Sequence, residues 1–299
     1  MTIRVELSRG GPSLSPIVAG AWRMAAWGWS VQERLRWIEQ CIELGVTSFD
    51  HADIYGNYSV EGLFGEALAL RPSLRQDIQL ISKVGIKLVS ARRPGHRVHR
   101  YDTSAEHIRW TVDNSLRELR AEQLELLLIH RPDALMDADE VAGAFESLRA
   151  AGKVRHFGVS NFTPAQFDLL HDRFPLATHQ IELHPLRREP LSDGTLDQLQ
   201  RLRIRPMIWS PLAGGALFTG DDDASRRVQL ALNGIAQRRG VEPATIAYAW
   251  LLRLPSRPVP VAGSRRIDAL REAVAALRLQ LDADDWTEIW EAATGHEVP

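Results

Sequence analysis

A chain of 299 residues with 44% hydrophobic content is long enough to bury a large core, either as two ordinary domains or as one α/β barrel. Its formal charge of -2 gives no global field that would draw it to nucleic acid, and no apolar run approaches the roughly 18 residues that a membrane helix needs. The single cysteine, Cys41, excludes an intrachain disulfide and sits in a periodic apolar segment, as core filling does in a protein of the reducing cytoplasm.

The amino terminus alternates Ile3, Val5 and Leu7 with polar residues, which reads as a short strand rather than the apolar core of a signal peptide. After the Gly10-Gly11-Pro12 turn, a second run around Leu14 closes a hairpin. From there one pattern recurs: a short β-branched or leucine-rich run, a polar loop, then an amphipathic helix. The runs lie near 16–20, 46–50, 78–83, 124–129, 154–160, 177–181, 204–209 and 257–262. Helical spacing covers 31–44, 60–70, 105–120, 138–151, 164–172, 193–202, 225–252 with a break at Pro243, and 266–276. Thr103 with Glu106 matches a capping box, Pro164 and Pro243 stand at helix starts, and Gly45, Gly152 and Gly240 stand where helices stop. Eight alternations without a linker predict a (β/α)8 TIM barrel as a single domain over 1–299, with the N-terminal β-hairpin at the barrel bottom and extra C-terminal helices. A doubly wound sheet would need a G-x-G-x-x-G turn after an early strand, and Gly20-Ala21-Trp22-Arg23-Met24 is not one.

Chemistry in a barrel collects at the carboxyl ends of its strands. The second run ends at Asp50, with Tyr55 in its loop, the third at Ser82-Lys83, and the fourth, Leu126-Leu127-Leu128-Ile129, at His130. The fifth ends at Ser160-Asn161, the sixth at Gln180 and Glu182, the seventh at Trp209-Ser210-Pro211 and the eighth at Gly263-Ser264-Arg265-Arg266. Singly each has a plain explanation: a lysine ending a strand snorkels to water, and a histidine before Arg131-Pro132 merely terminates one. Together they are a different proposition, because the barrel brings four ionisable groups to one polar mouth. Burial lowers the Lys83 pKa unless the Asp50 carboxylate holds the ammonium charged, and a charged Lys83 makes Tyr55 a better acid.

Asp50, Tyr55, Lys83 and His130 resemble, in order and context, the catalytic tetrad of the aldo-keto reductase family. The resemblance extends through Gly45-Val46-Thr47-Ser48-Phe49-Asp50, Ile81-Ser82-Lys83, the stretch Gly152 to Phe162 and the closing Gly263-Ser264. With His130-Arg131-Pro132-Asp133 and Trp209-Ser210 it is most similar to the bacterial YdhF-type oxidoreductases of that family. It implies hydride transfer from NADPH to an aldehyde or ketone, with Tyr55 protonating the oxygen, Lys83 and Asp50 tuning the phenol, and His130 orienting the carbonyl. It further implies that Ser160, Asn161 and Gln180 hold the nicotinamide carboxamide and that Trp209 stacks on the ring, where many relatives carry tyrosine or phenylalanine. The pyrophosphate is expected along Ser210, Leu212, Gly214 and Gly215. Family members favouring NADP commonly carry a lysine where this chain has Gly263, before Ser264; Arg265 and Arg266, with Arg271 a turn on, are the expected substitutes at the 2′-phosphate, and Glu272 the partner of adenine.

Trp22, Met24, Trp27 and Trp29 follow the first run. The resemblance assigns Trp22 and Met24, with Asn57 and Tyr58, to the wall of a pocket for a small carbonyl substrate, while Trp27 and Trp29 read equally well as pins for the following helix. The long stretch from Gly85 to Asp102, with Lys87, Arg92, Arg93, His96, Arg97, His99 and Arg100, is a lid for an anionic substrate, a strap near the cofactor phosphates, or a solvated basic loop. Two rivals stand beside the reductase: a nucleotide-binding redox sensor on the same fold, and a metal-dependent barrel hydrolase using His51, Asp53, His179 and His184, with Lys83 bridging the metals. The preferred reading has no metal, no nucleic-acid or membrane partner, and a monomer or weak homo-oligomer. It leaves His51 and Asp53 as structural residues that shape the turn delivering Tyr55.

Overall fold

The computed structural model describes residues 3–298. Eight parallel strands close into a barrel: β1 (Val18–Gly20), β2 (Ser48–Asp50), β3 (Gln79–Val84), β4 (Leu124–Ile129), β5 (Val154–Ser160), β6 (His179–Glu182), β7 (Met207–Trp209) and β8 (Val259–Ala262). They neighbour one another in chain order, and the ring is completed where Val261 of β8 pairs with Val18 of β1. Strands covered on both faces need no polar side, which is why β3 is buried at every position and β4 is buried at every position but Glu125.

The covering helices are α1 (Val31–Glu43), α2 (Val60–Leu70), α3 (Ala105–Leu119), α4 (Ala138–Ala150), α5 (Pro164–His171), α6 (Thr195–Leu202), α7 (Asp223–Arg239), α8 (Pro243–Leu252), α9 (Ile267–Ala275) and α10 (Ala283–Thr294). Their ends follow local chemistry. Ser30 and Glu33 form a capping box at α1, Thr163 and Gln166 another at α5, and Pro243 opens α8. Gly45, Gly152 and Gly240 turn through left-handed φ of 81°, 70° and 65° as their helices stop. The start of α3 corrects the expectation by one residue. Ser104 is the cap, accepting from His107 N–H, and Thr103 instead donates to the Asp133 carboxylate at 3.3 Å.

The hairpin pairs Val5–Glu6 with Ser13–Leu14 and buries Leu7 and Leu14 among Val18, Ile81, Leu126, Met207 and Val259. Leu7 C=O accepts from Arg205 N–H, just ahead of β7, so the hairpin plugs the amino-terminal end of the barrel. At the carboxyl end of the chain, α10 docks on α7 and α8. Trp250 and Trp286 stack 5.1 Å apart and each indole N–H donates to the other's carbonyl, while Arg238 and Arg239 pair with Asp285. No helix among the described residues is long and apolar enough to cross a membrane.

Candidate active site

Strand β2 delivers Asp50 to the mouth, and the turn beyond it brings Tyr55 back over the strand end. The turn continues into a short helical segment, Tyr55–Tyr58, in which Gly56 and Asn57 both have φ of 56°. A Cβ on Gly56 would lie 2.6 Å from the Ala25 side chain, so this position requires glycine for both conformation and space.

Lys83, at the end of β3, is 1% exposed, and its ammonium has three partners: Asp50 Oδ2 at 2.6 Å, His51 C=O at 2.8 Å and Tyr55 Oη at 3.0 Å. An ammonium has three N–H donors, so this one is fully used. Burial alone would lower its pKa, but the Asp50 carboxylate and the Tyr55 hydroxyl outweigh that and hold it above the ordinary lysine value. The other Asp50 oxygen accepts from Gln180 Nε2 at 2.9 Å, which ties β2 to β6 across the barrel. Lys83 does pull the Tyr55 phenol down, yet burial is stronger and the phenol ends above its ordinary value. The expected influence of Lys83 is present, making the phenol more acidic than burial alone would leave it, but the net direction is upward. His130, its ring 5.8 Å from that of Tyr55, is pushed well below the ordinary histidine value by burial, then by Lys83 and Arg131, and stands neutral.

From this floor a cavity of about 820 Å³ runs along the strand ends. Ser160, Asn161, Gln180 and Trp209 are chained by hydrogen bonds: Ser160 hydroxyl to Gln180 C=O at 2.9 Å, Asn161 Nδ2 to Ser160 Oγ at 2.7 Å, and Trp209 Nε1 to Asn161 Oδ1 at 2.9 Å. Ser210, Leu212, Gly214 and Gly215 continue the wall, and Gly263, Ser264, Arg266 and Glu272 close its far end. Trp22 and Asn57 line the same space, with Trp22 tilted over Tyr55 at 6.2 Å between ring centres.

Other expected residues lie elsewhere. Met24 is 1% exposed in the core behind the loop, because Trp22 takes the outward position. Tyr58 points away from the cavity: its hydroxyl accepts from Leu88 N–H at 2.7 Å and props the loop after β3. Arg271 turns to Asp268 on its own helix, and neither it nor Arg265 lines the cavity. Trp27 stacks edge-on with Trp37 at 5.1 Å, so this ring pins α1. The basic loop holds a second hairpin, Ile86–Lys87 with Arg100–Tyr101, and presents Ile86 and Leu88 to the cavity. In an eight-strand ring β3 stands across from β7, so the loop belongs to the Tyr55 side and not beside Ser210–Gly215. Arg131 and Arg23 also line the cavity. Nothing in the spacing distinguished these two, although Arg131 stands next to His130 in the quoted motif.

Residues 16–294 match the model of the Aldo/keto reductase family. The chain belongs to the aldo/keto reductase family. Oxidoreductase YdhF of Escherichia coli (strain K12) is 48% identical to it over 302 residues, covering 100% of both chains. The 6-dehydroglucose reductase of Agrobacterium fabrum is 42% identical over 95% of this chain and 96% of that one. The structure of glycerol dehydrogenase AKR11B4 from Gluconobacter oxydans superimposes with a TM-score of 0.84 at 24% identity, covering 95% and 93% of the two chains, a likeness of fold. In this aldo/keto reductase the residues of the hydrolase rival have other surroundings. His51 packs its ring 4.4 Å from that of Phe64, and His179 Nε2 accepts from Phe162 N–H at 3.0 Å. His184 lies 3.4 Å from Glu182, and no group of three or more potential metal ligands is gathered among the described residues.

Proposed function

We propose that the protein reduces a small aldehyde or ketone to the alcohol with NADPH, using Tyr55 as the proton donor. The observation that carries this reading is the Lys83 ammonium bonded at once to Asp50 and Tyr55 on the floor of an elongated cleft. A protonated phenol beside a fixed cation can release its proton as negative charge develops on a carbonyl oxygen, because the resulting phenolate is stabilised where it forms. His130, neutral, has one ring N–H to offer the same oxygen and orients the carbonyl against Tyr55.

The residues along the cleft fit a nicotinamide dinucleotide. Asn161 has used one of its two side-chain N–H groups and Gln180 retains its side-chain oxygen Oε1, so the pair can serve a carboxamide's acceptor and donor. Trp209 offers a flat ring beside them. Gly214 and Gly215, at φ of 65° and 111°, leave backbone exposed where phosphate would approach, and a Cβ on Gly263 would meet only Gly20 C=O, at 3.9 Å. Arg266 supplies the charge for a 2′-phosphate. When bound, the cofactor supplies the hydride to the carbonyl carbon. The name of the Agrobacterium relative, a reductase of 6-dehydroglucose, supports both the direction and a small polar carbonyl. On this reading the chain is a single-domain cytoplasmic enzyme, monomeric or weakly associated.

The test is NADPH-dependent reduction of 4-nitrobenzaldehyde. Tyr55→Phe should slow it at least about a hundredfold, within the range of general acid catalysis, while tryptophan fluorescence still reports NADPH binding. Equal rates in the two proteins sink the proposal, and binding without turnover in either would favour the sensor.

A further inference from the structure

The substrate half of the cleft carries unpaired charge of one sign. Of the three carboxylates lining the cavity, Glu242 and Glu272 stand at the far end with Ser264 and Arg266, and Asp50 is neutralised by Lys83 at 2.6 Å. Arg131 directly follows His130, the residue read as orienting the carbonyl, and lines the same cavity. It is half-buried, with its guanidinium 5.6 Å from the centre of the Trp209 ring, and no carboxylate among the described residues comes within ion-pair range of it. Glu182, the acid that feels its field, is already held by Arg187 at 3.2 Å. The second cation of the cavity, Arg23, stacks on Trp22 at 5.5 Å and reaches the Gly214 carbonyl at 3.5 Å, so it faces the stretch read as the phosphate run. Arg131 is left for the substrate.

The approach to the cleft has the same sign. Arg92 and Arg97 are exposed on the loop that presents Ile86 and Leu88 to the cavity, and its carboxylate, Asp102, is shared between Lys87 at 2.8 Å and Arg100 at 2.9 Å. The loop is braced in place: Arg93 lies over both Tyr58 at 4.7 Å and Trp110 at 5.1 Å. A basic rim leading to a guanidinium with no acid partner steers and then pairs an anion, and the planar fork of arginine matches a carboxylate with two parallel hydrogen bonds.

We propose that Arg131 determines specificity by pairing with a carboxylate on the substrate, so that the enzyme prefers an oxo-acid to a neutral carbonyl compound. The inference rests on the reductase reading and names its substrate class. Two probes separate the two: 4-carboxybenzaldehyde and methyl 4-formylbenzoate share a ring and a para carbonyl group and differ by one charge and one methyl group. The wild type should favour the acid in kcat/KM by about tenfold or more, as a charge-assisted hydrogen bond provides, and the preference should shrink with added salt. Arg131→Gln should bring the ratio close to one, mainly through KM for the acid, and Arg131→Lys should restore part of it. Equal efficiency on both probes, or an unchanged ratio in Arg131→Gln, overturns the inference and leaves the reductase standing. Turnover of neither probe overturns both.

Discussion

Lys83 donates to the Asp50 carboxylate over 2.6 Å with both side chains buried, and it is this pairing that keeps a cation beneath the Tyr55 hydroxyl. Remove the carboxylate charge and burial, the largest influence on Lys83, acts with less opposition. In Asp50→Asn the lysine pKa should fall, so the alkaline limb of the pH–rate profile for carbonyl reduction should move to lower pH by about one unit or more, each unit being about 1.4 kcal/mol of lost interaction. The variant should also be less stable by about 3 to 5 kcal/mol, as expected when one partner of a buried pair is removed. Profiles that superimpose would show that Asp50 does not govern the lysine.

Much of this arrangement is legible in the sequence because a barrel converts order along the chain into position around a ring. The strand Leu124–Ile129 is legible from Leu126-Leu127-Leu128-Ile129, since a stretch buried on both faces leaves a continuous apolar signature, which Glu125 alone interrupts. Once the strands are placed, Asp50, Lys83 and His130 must share a mouth. Loops carry no such period. Nothing in Ala21-Trp22-Arg23-Met24 says that Trp22 faces the cavity and Met24 the core, and the Tyr58 hydroxyl is claimed by Leu88 N–H through a contact 30 residues away. Arg271 is a different case, because Asp268 lies three residues back on the same helix and that pairing was open to inspection.

Two buried groups behind the site give the fold opposing responses to pH. His51 is held down to about 3, by burial first and Lys83 second, so below its unfolded value near 6.5 the unfolded chain binds a proton that the folded site refuses. Its contribution to stability is lost as pH falls from 6.5 toward 3. Glu61 is pushed up to about 7, chiefly by burial, against the pull of hydrogen bonds from Ser82 and Ser115. The folded chain keeps a proton there that the unfolded chain releases near 4.5, so this contribution is full below 4.5 and is lost as pH rises through 7. Denaturant unfolding at pH 5 and pH 8 distinguishes them. Relative to wild type, Glu61→Gln should gain roughly 1 to 3 kcal/mol on going from pH 5 to 8, and His51→Leu should gain on going the other way. Parallel responses in all three proteins would show that neither group titrates with folding.

If the cofactor is NADPH as proposed, its 2′-phosphate is expected on Arg266. Arg266 lines the far end of the cleft, its backbone N–H is fixed by Ser264 Oγ at 3.1 Å, and its guanidinium lies 3.8 Å from Glu272, loosely enough to turn toward a phosphate. Arg271 is engaged with Asp268. A guanidinium on a phosphate distinguishes NADPH from NADH, since only the former carries the 2′-phosphate. Arg266→Ala should weaken NADPH about tenfold or more while changing NADH little, an effect the size of a charged hydrogen bond. Arg271→Ala should leave the ratio of the two dissociation constants within about twofold, as surface ion pairs contribute little. Titration of tryptophan fluorescence with each cofactor measures both ratios; a ratio unmoved in Arg266→Ala but collapsed in Arg271→Ala would place the phosphate on the outer face of α9.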